Sequence, residues 1–102
     1  MIFVYIICSN KKEAQKIGQV LIEKRLVGCL NIFPIESIYW WKKKIVKDKE
    51  VVLIAKTLKK NFKKVEEMVK KLHSYEIPCI VALSVAKVNK EYLDWLKGIR
   101  TN

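Results

Sequence analysis

Apolar residues along this chain alternate between short β-branched runs and stretches with helical spacing. The run Ile2–Cys8 is apolar throughout, which predicts a buried strand. Asn10 and Glu13 follow at the spacing of a helix capping box. The next apolar positions recur at helical spacing, at Ala14, Ile17, Gly18, Leu21 and Ile22. They predict a first helix in which Gly18 packs closely on a sheet and Gly28 forms the C-cap.

The middle of the chain carries two further strand patterns. Residues 29–33 predict a second strand that is interrupted at Pro34 and resumes over residues 35–41. Proline cannot donate a ladder hydrogen bond, so this strand is expected at a sheet edge or at a bulge. The charged residues 42–49 are expected to form a hairpin tip, and residues 50–57 predict the third strand.

The last part of the chain predicts a helix, a strand and a short helix. Apolar residues from Phe62 to Leu72 have helical spacing and end near His73. Residues 77–85 predict the fourth strand, and Asn89 is placed to cap the final helix. The order β-α-β-β-α-β-α predicts one α+β domain over residues 1–102, a ferredoxin-like split β-α-β sandwich. Both long helices should cover one face of a four-stranded antiparallel sheet whose first and third strands are central.

The strands are apolar on both faces, which a single layer of helices does not explain. Residues 2–8 and 51–55 do not alternate between apolar and polar side chains. Trp40 and Trp41 are adjacent, so they must point to opposite faces of their strand. The final helix could cover part of the second face. A large exposed apolar patch is unusual in a soluble monomer, so the pattern predicts an oligomer.

Composition narrows the class of function. The 102 residues include 21 Lys and Arg against 10 Asp and Glu, and 51% are hydrophobic. Only Arg25 and Arg100 are arginine, the residue that usually reads bases, which weighs against nucleic-acid binding. An RNA-binding module is ranked last of the three hypotheses, because the central strands have no aromatic ladder beyond Phe3 and Tyr5. The charge is expected to be mainly a solvated surface. Apolar stretches are too short to span a membrane, and three cysteines fit a reducing, cytoplasmic setting better than a disulfide framework.

The candidate metal ligands are Cys8, Cys29, Cys79 and His73. Thiolate and imidazole groups favour copper or zinc over magnesium or calcium. The predicted topology brings Cys8, Cys79 and His73 to one end of the sheet, whereas Cys29 lies at the other. Each cysteine also fits an apolar core position, and His73 also fits a helix cap. No hydrolase triad or phosphate-binding glycine loop is present, so the chain is expected not to be an enzyme.

Several blocks of the sequence together resemble the CutA family of divalent-cation, or copper, tolerance proteins. They are residues 23–32 (EKRLVGCLNI), 39–41 (YWW), Glu50 with Lys56 and Thr57, 73–75 (HSY) with Pro78, and 92–96 (YLDWL). The resemblance extends from Val4 to Leu96. Departures occur at Gly28 and Leu30, where the family usually has alanine, and at Lys42, where a small or acidic residue is frequent.

This resemblance implies a cytoplasmic, non-enzymatic homotrimer with a role in tolerance of copper or another divalent metal ion. The trimer architecture is shared with the PII signalling proteins. Cys29 leads the candidate ligands because it lies in the family motif. A PII-like sensor that binds a small anion between subunits is the alternative.

A subunit cleft would be lined by residues from several elements. The aromatic block Tyr39, Trp40 and Trp41 fits interface packing or a ligand pocket. Lys56 ends an apolar strand and is expected to pair with Glu50 or Glu36, or to bind an anion. Further polar residues with either a cleft role or a structural role are Asn31, Thr57, Tyr75 and Tyr92.

Overall fold

A computed structural model of the chain describes residues 1–99. The elements are β1 Ile2–Cys8, α1 Lys11–Glu23, β2 Cys29–Trp41, β3 Lys44–Thr57, a 3-10 turn at Lys59–Asn61, α2 Phe62–Leu72, β4 Ile80–Ser84 and α3 Lys90–Gly98. The antiparallel sheet has the order β2-β3-β1-β4, with β1 and β3 central. This confirms the ferredoxin-like prediction. No helix among these residues is long and apolar enough to cross a membrane.

The core lies between one face of the sheet and the helices α1 and α2. Residues of β1 are alternately buried and half-buried, so every second side chain enters this core. Val4 pairs with Ala55 and Ile6 with Leu53 in the β1–β3 ladder, and all four are buried. Helix residues complete the core: Ala14, Ile17, Leu21, Val65 and Val69.

The opposite face of the sheet is covered only in part among residues 1–99. Tyr92 of α3 lies near Lys56, whose strand neighbour on β1 is Phe3. Other apolar residues on this face stay open: Phe33, Val81 and Leu83 are 40%, 46% and 48% exposed in the single chain. Helix α3 therefore accounts for part of the apolar surface that the strands carry on this second face.

The strands β2 and β3 extend past the rest of the sheet as a two-stranded arm. The last residue of β1, Cys8, pairs with Val51, so residues 35–50 have no β1 neighbour; we call them the hairpin arm. Its tip differs from the prediction, because residues 44–49 belong to β3 and only Lys42 and Lys43 form the turn. Both have positive φ, 48° and 67°, as a tight two-residue hairpin turn requires. The apolar pair Trp40 and Ile45 on this arm is 71% and 60% exposed.

Pro34 lies within a continuous β2 rather than interrupting it. Because β2 is an edge strand, a residue without a backbone N–H is tolerated there. The fourth strand is shorter than predicted and spans only Ile80–Ser84.

Two glycines have packing roles near the first helix. The predicted C-cap at Gly28 is wrong, because α1 ends at Glu23 and Arg25 adopts the left-handed conformation with φ 56°. A Cβ at Gly28 would instead lie 2.5 Å from Leu96 Cδ1, so α3 approaches the chain closely at this residue. A Cβ at Gly18 would lie 2.6 Å from a methyl group of β2, which confirms the predicted close packing on the sheet.

Candidate metal centre and the adjoining groove

Three potential ligands meet where β1, α1 and α2 adjoin. Cys8 ends β1, Glu13 lies in the first turn of α1, and His73 is the C-cap of α2. One ligand atom from each lies within 4.8 Å of the other two, and no other such group of His, Cys, Asp and Glu occurs among residues 1–99. We call these residues the Cys8–Glu13–His73 cluster. It confirms that Cys8 and His73 converge.

Glu13 is the residue that sequence reasoning assigned to a cap and not to this cluster. Its Oε1 accepts hydrogen bonds from the N–H and the Oγ–H of Ser9, and its Oε2 accepts from the N–H of Ser74. Burial favours the neutral acid, but the hydrogen bonds from Ser74 and Ser9 outweigh it and lower the pKa of Glu13 from 4.5. Glu13 is therefore a carboxylate at neutral pH. The sequence feature that could have placed Glu13 in the cluster is its position five residues after Cys8, in the first turn of a helix.

Both ring nitrogens of His73 have partners. Nε2 lies 2.7 Å from the carbonyl oxygen of Ile7. A carbonyl can only accept, so Nε2 carries the ring proton in this arrangement. Nδ1 is then an acceptor, and it receives the N–H of Tyr75 at 3.0 Å. The same Nδ1 lies 3.8 Å from Glu13 Oε1, so it is the nitrogen that faces the cluster.

The Cys8 thiol is fully buried. Burial raises its pKa to about 12, and the negative charges of Glu13 and Glu50 add to this effect. Without a cation nearby, Cys8 is therefore a protonated thiol at neutral pH. A metal ligand must be the thiolate, so coordination here requires release of the thiol proton.

The donor set fits a borderline or soft divalent cation. A thiolate, a carboxylate and an imidazole nitrogen are all ligands of zinc and copper, whereas magnesium and calcium prefer oxygen alone. Cys8, Glu13 and His73 would hold the ion, and three protein ligands leave a position open. Cation binding here would replace the thiol proton and the hydrogen bond that His73 Nδ1 now accepts.

The other two cysteines lie away from this cluster. The carbonyl of Cys79 accepts a hydrogen bond from the N–H of Ile7, and its side chain lines a groove on the opposite face of the sheet. Burial, with the charge of Glu50, raises the pKa of Cys79. Cys29 begins β2 at the far end of the sheet, where its ladder neighbour is Lys56. Of the three cysteines, only Cys8 therefore joins His73.

Lys56 has aromatic neighbours instead of the expected carboxylate. Its Nζ lies 5.4 Å from the centroid of the Phe3 ring and 5.8 Å from that of Tyr92, within cation–π range. Burial raises the pKa of Tyr92, and its hydrogen bond with Cys29 and the charge of Cys29 act in the same direction. The expected pairing of Lys56 with Glu50 or Glu36 is wrong for residues 1–99 of the single chain, where Glu50 instead accepts the hydroxyl of Tyr75.

Thr57 and Asn31 lie apart from each other. The Thr57 hydroxyl donates to the carbonyl of Leu26 at 2.6 Å and accepts from Asn61, so its role is structural. Asn31 pairs with Ile54 on an exposed part of β2.

A groove of about 1020 Å³ runs between the hairpin arm and the segment after α2. Its lining within residues 1–99 includes the carboxylates of Glu36, Glu50 and Glu76 and no Lys, Arg or His, in a chain with a net charge of +11. The aromatic rings of the groove include those of Tyr5, Tyr39, Trp40, Trp41 and Tyr75. The charge of this groove disfavours an anion, and Lys56, the residue expected to bind one, does not line it.

Glu50 is the buried charged residue of this groove, with 6% of its surface exposed. The Tyr75 hydroxyl donates to Glu50 Oε2 at 2.5 Å. Burial raises the pKa of Tyr75, and the bond to Glu50 adds to the effect, so Tyr75 keeps its proton. The neighbouring Tyr39 hydroxyl donates to Asp48 at 3.4 Å.

The sequence matches the CutA1 divalent ion tolerance protein family over residues 2–98. It is 47% identical over 97 residues to the divalent-cation tolerance protein CutA of Thermotoga maritima, covering 95% of this chain and 96% of that one. Identity to the CutA protein of Archaeoglobus fulgidus is 44% over 94 residues, 92% of each chain.

Solved structures show the same likeness. The CutA structure from Archaeoglobus fulgidus superposes with a TM-score of 0.95 at 42% identity, covering 97% of this chain and 98% of that one. CutA1 from Thermus thermophilus gives a TM-score of 0.90 at 45% identity over 94% and 95% of the two chains. The chain therefore belongs to the CutA1 family of divalent ion tolerance proteins.

Proposed function

We propose that this protein acts in divalent-cation tolerance by binding copper or zinc at the Cys8–Glu13–His73 cluster. The observation that supports the proposal is the meeting of a thiol, a carboxylate and an imidazole nitrogen within 4.8 Å. Membership of a family named for divalent ion tolerance agrees with it. The protein would act by binding and not by catalysis, because a buried thiol with a pKa raised to about 12 is a poor nucleophile.

Calorimetric titration with Zn²⁺ of the wild type and two cysteine variants tests this site. Cys8→Ala removes one ligand and is expected to weaken binding by about tenfold or more. Cys29→Ala is the matched control, since it removes a thiol at the far end of the sheet and should leave the affinity unchanged. An unchanged affinity in Cys8→Ala would contradict the proposal. A loss confined to Cys29→Ala would move the site to the thiol of the family motif.

We also propose that the protein is a homotrimer, the assembly that the family resemblance implies. The support is the apolar surface that the single chain leaves open on the hairpin arm and on the second face of the sheet. Ile38, Trp40 and Ile77 are 70%, 71% and 72% exposed, more than a soluble monomer usually shows in one region. Light scattering should give about three times the chain mass of 12.0 kDa. A stable monomer would contradict this assembly.

We propose a cytoplasmic location, because Cys8, Cys29 and Cys79 are all free thiols. The Archaeoglobus fulgidus structure is described as that of a periplasmic protein, so the location needs its own test. Fractionation of cells that express the full chain should recover it with cytoplasmic markers. Recovery with periplasmic markers would contradict the proposal.

A further inference from the structure

We propose that the loop formed by residues 73–75 couples the Cys8–Glu13–His73 cluster to the groove. In this coupling, cation binding at the cluster and the hydrogen bond between Tyr75 and Glu50 oppose each other. The inference rests on the proposed function, because it concerns the regulation of the same cluster. It is carried by hydrogen bonds at both ends of the loop.

The first link is the single lone pair of His73 Nδ1. This nitrogen accepts the N–H of Tyr75 at 3.0 Å, while Nε2 is held by the carbonyl of Ile7. An unprotonated ring nitrogen has one lone pair in the ring plane. His73 can therefore offer Nδ1 to a cation only by releasing the Tyr75 N–H.

The second link is the carboxylate of Glu13. Its Oε2 accepts the N–H of Ser74 at 3.0 Å, so two successive amides of the loop are held by cluster residues. The other oxygen, Oε1, accepts from Ser9 and lies 3.8 Å from His73 Nδ1, so a cation bound through Oε1 leaves the Oε2 bond to Ser74 in place. The Tyr75 amide is therefore the loop anchor that competes directly with the ion, while the Ser74 amide holds the adjacent residue at the cluster.

The third link connects the loop to the groove. The Tyr75 ring lies against the His73 ring, with 4.7 Å between centroids, and its hydroxyl donates to the buried Glu50. The ring and the amide belong to one residue, so displacement of the amide moves the hydroxyl away from Glu50. A buried carboxylate that loses its donor is unfavourable, and the groove end of the loop therefore resists release at the cluster end.

Linkage requires the effect to be reciprocal. If the Tyr75–Glu50 bond disfavours the cation-bound loop, then removing that bond must increase cation affinity, and cation binding must loosen that bond. Glu50 is the last residue of the hairpin arm and lines the groove, so occupation of the cluster would change the surface on which further copies of the chain are proposed to pack.

The test compares Tyr75→Phe with the matched control Tyr39→Phe. Both changes remove a phenol hydroxyl that donates to a carboxylate, but Tyr39 bonds to Asp48 on the hairpin arm, whereas the Tyr75 ring lies against His73. Zn²⁺ titrations by calorimetry should show that Tyr75→Phe binds Zn²⁺ at least about fivefold more tightly than the wild type. Tyr39→Phe should have the affinity of the wild type. Equal affinities in the two variants would overturn the coupling.

Hydrogen exchange gives a second readout that does not depend on a variant. In the wild type, saturating Zn²⁺ should speed exchange of the Tyr75 amide, which loses its acceptor on His73, while core amides stay protected. Unchanged or slower exchange of the Tyr75 amide would overturn the coupling even if Zn²⁺ binds. Absence of Zn²⁺ binding to the wild type would overturn the proposed site together with the coupling, whereas binding abolished by Cys8→Ala with no effect of Tyr75→Phe would overturn the coupling alone.

Discussion

Glu13 joins the first helix to the loop after the second, and its replacement tests that role. Three hydrogen bonds converge on its carboxylate, two from Ser9 and one from Ser74. In Glu13→Gln the amide oxygen can still accept from Ser9. The amide nitrogen would then face the Ser74 N–H, which places a donor against a donor.

The expected loss follows from the number of bonds removed. A hydrogen bond to a charged group contributes about 1.5–3 kcal/mol, and the Glu13 side chain is only 12% exposed, so screening by water is limited. Glu13→Gln should therefore lower the free energy of unfolding by about 2–3 kcal/mol at pH 7. The matched control is Glu23→Gln, at the exposed end of the same helix, which should stay within about 0.5 kcal/mol of the wild type.

Denaturation with guanidinium chloride at one fixed protein concentration measures this loss. The pKa of Glu13 is lowered in the folded state, so its contribution is fully present above the unfolded pKa and is lost as the pH falls through the folded pKa. The gap between the wild type and Glu13→Gln should thus narrow below about pH 4.5. Equal stability at pH 7, or a gap that does not change with pH, would refute the reasoning.

Further predictions concern packing and proton release. Gly28→Ala should destabilise the protein by about 1–3 kcal/mol, because its Cβ would lie 2.5 Å from Leu96 Cδ1. Gly98→Ala is the control and should not destabilise it, because its Cβ would have no neighbour within 4 Å in the described part of the chain. Unfolding curves that place both variants at wild-type stability would contradict this. Zn²⁺ affinity should rise with pH by about tenfold per unit near neutrality, because Cys8 must release its proton. A flat calorimetric profile between pH 6 and pH 8 would exclude Cys8 as a ligand.

The order of elements could be predicted because each core face has a clear period in the sequence. The β-branched run Ile2–Cys8 forms a strand with those bounds, and the apolar spacing from Phe62 to Leu72 forms a helix that His73 caps. An element that buries one face must repeat apolar residues with the period of a strand or of a helix, so the core residues reveal the type of element to which they belong.

The turns were harder to predict, because residue types that rarely adopt positive φ do so at these positions. Arg25, Lys42 and Lys43 all have positive φ, which favours glycine or asparagine and gives no sequence signal when lysine or arginine is present. The end of the first helix and the hairpin tip were therefore misplaced.

The candidate site was predicted in part. Cys8 and His73 were brought together by topology alone. Glu13 was recognised only as a cap. Its contact with Ser74 joins residues that are 61 positions apart in the sequence, and a contact between such distant residues leaves no local sequence pattern. Cys79 was predicted to join Cys8 and His73, but its backbone pairs with Ile7 and not with Cys8. A register difference of one residue turns a side chain to the other face of the sheet, so Cys79 lines the groove and not the cluster.

Anomalous diffraction from a crystal of the full chain soaked in Cu²⁺ or Zn²⁺ tests the central claim most directly. It locates the ion without assuming any function. The account predicts an anomalous peak about 2.0–2.4 Å from Cys8 Sγ, His73 Nδ1 and a Glu13 oxygen, with the Tyr75 N–H displaced from the histidine. A peak at Cys29 or at surface side chains, with the Cys8–Glu13–His73 cluster unchanged and its Tyr75 bond intact, would contradict it.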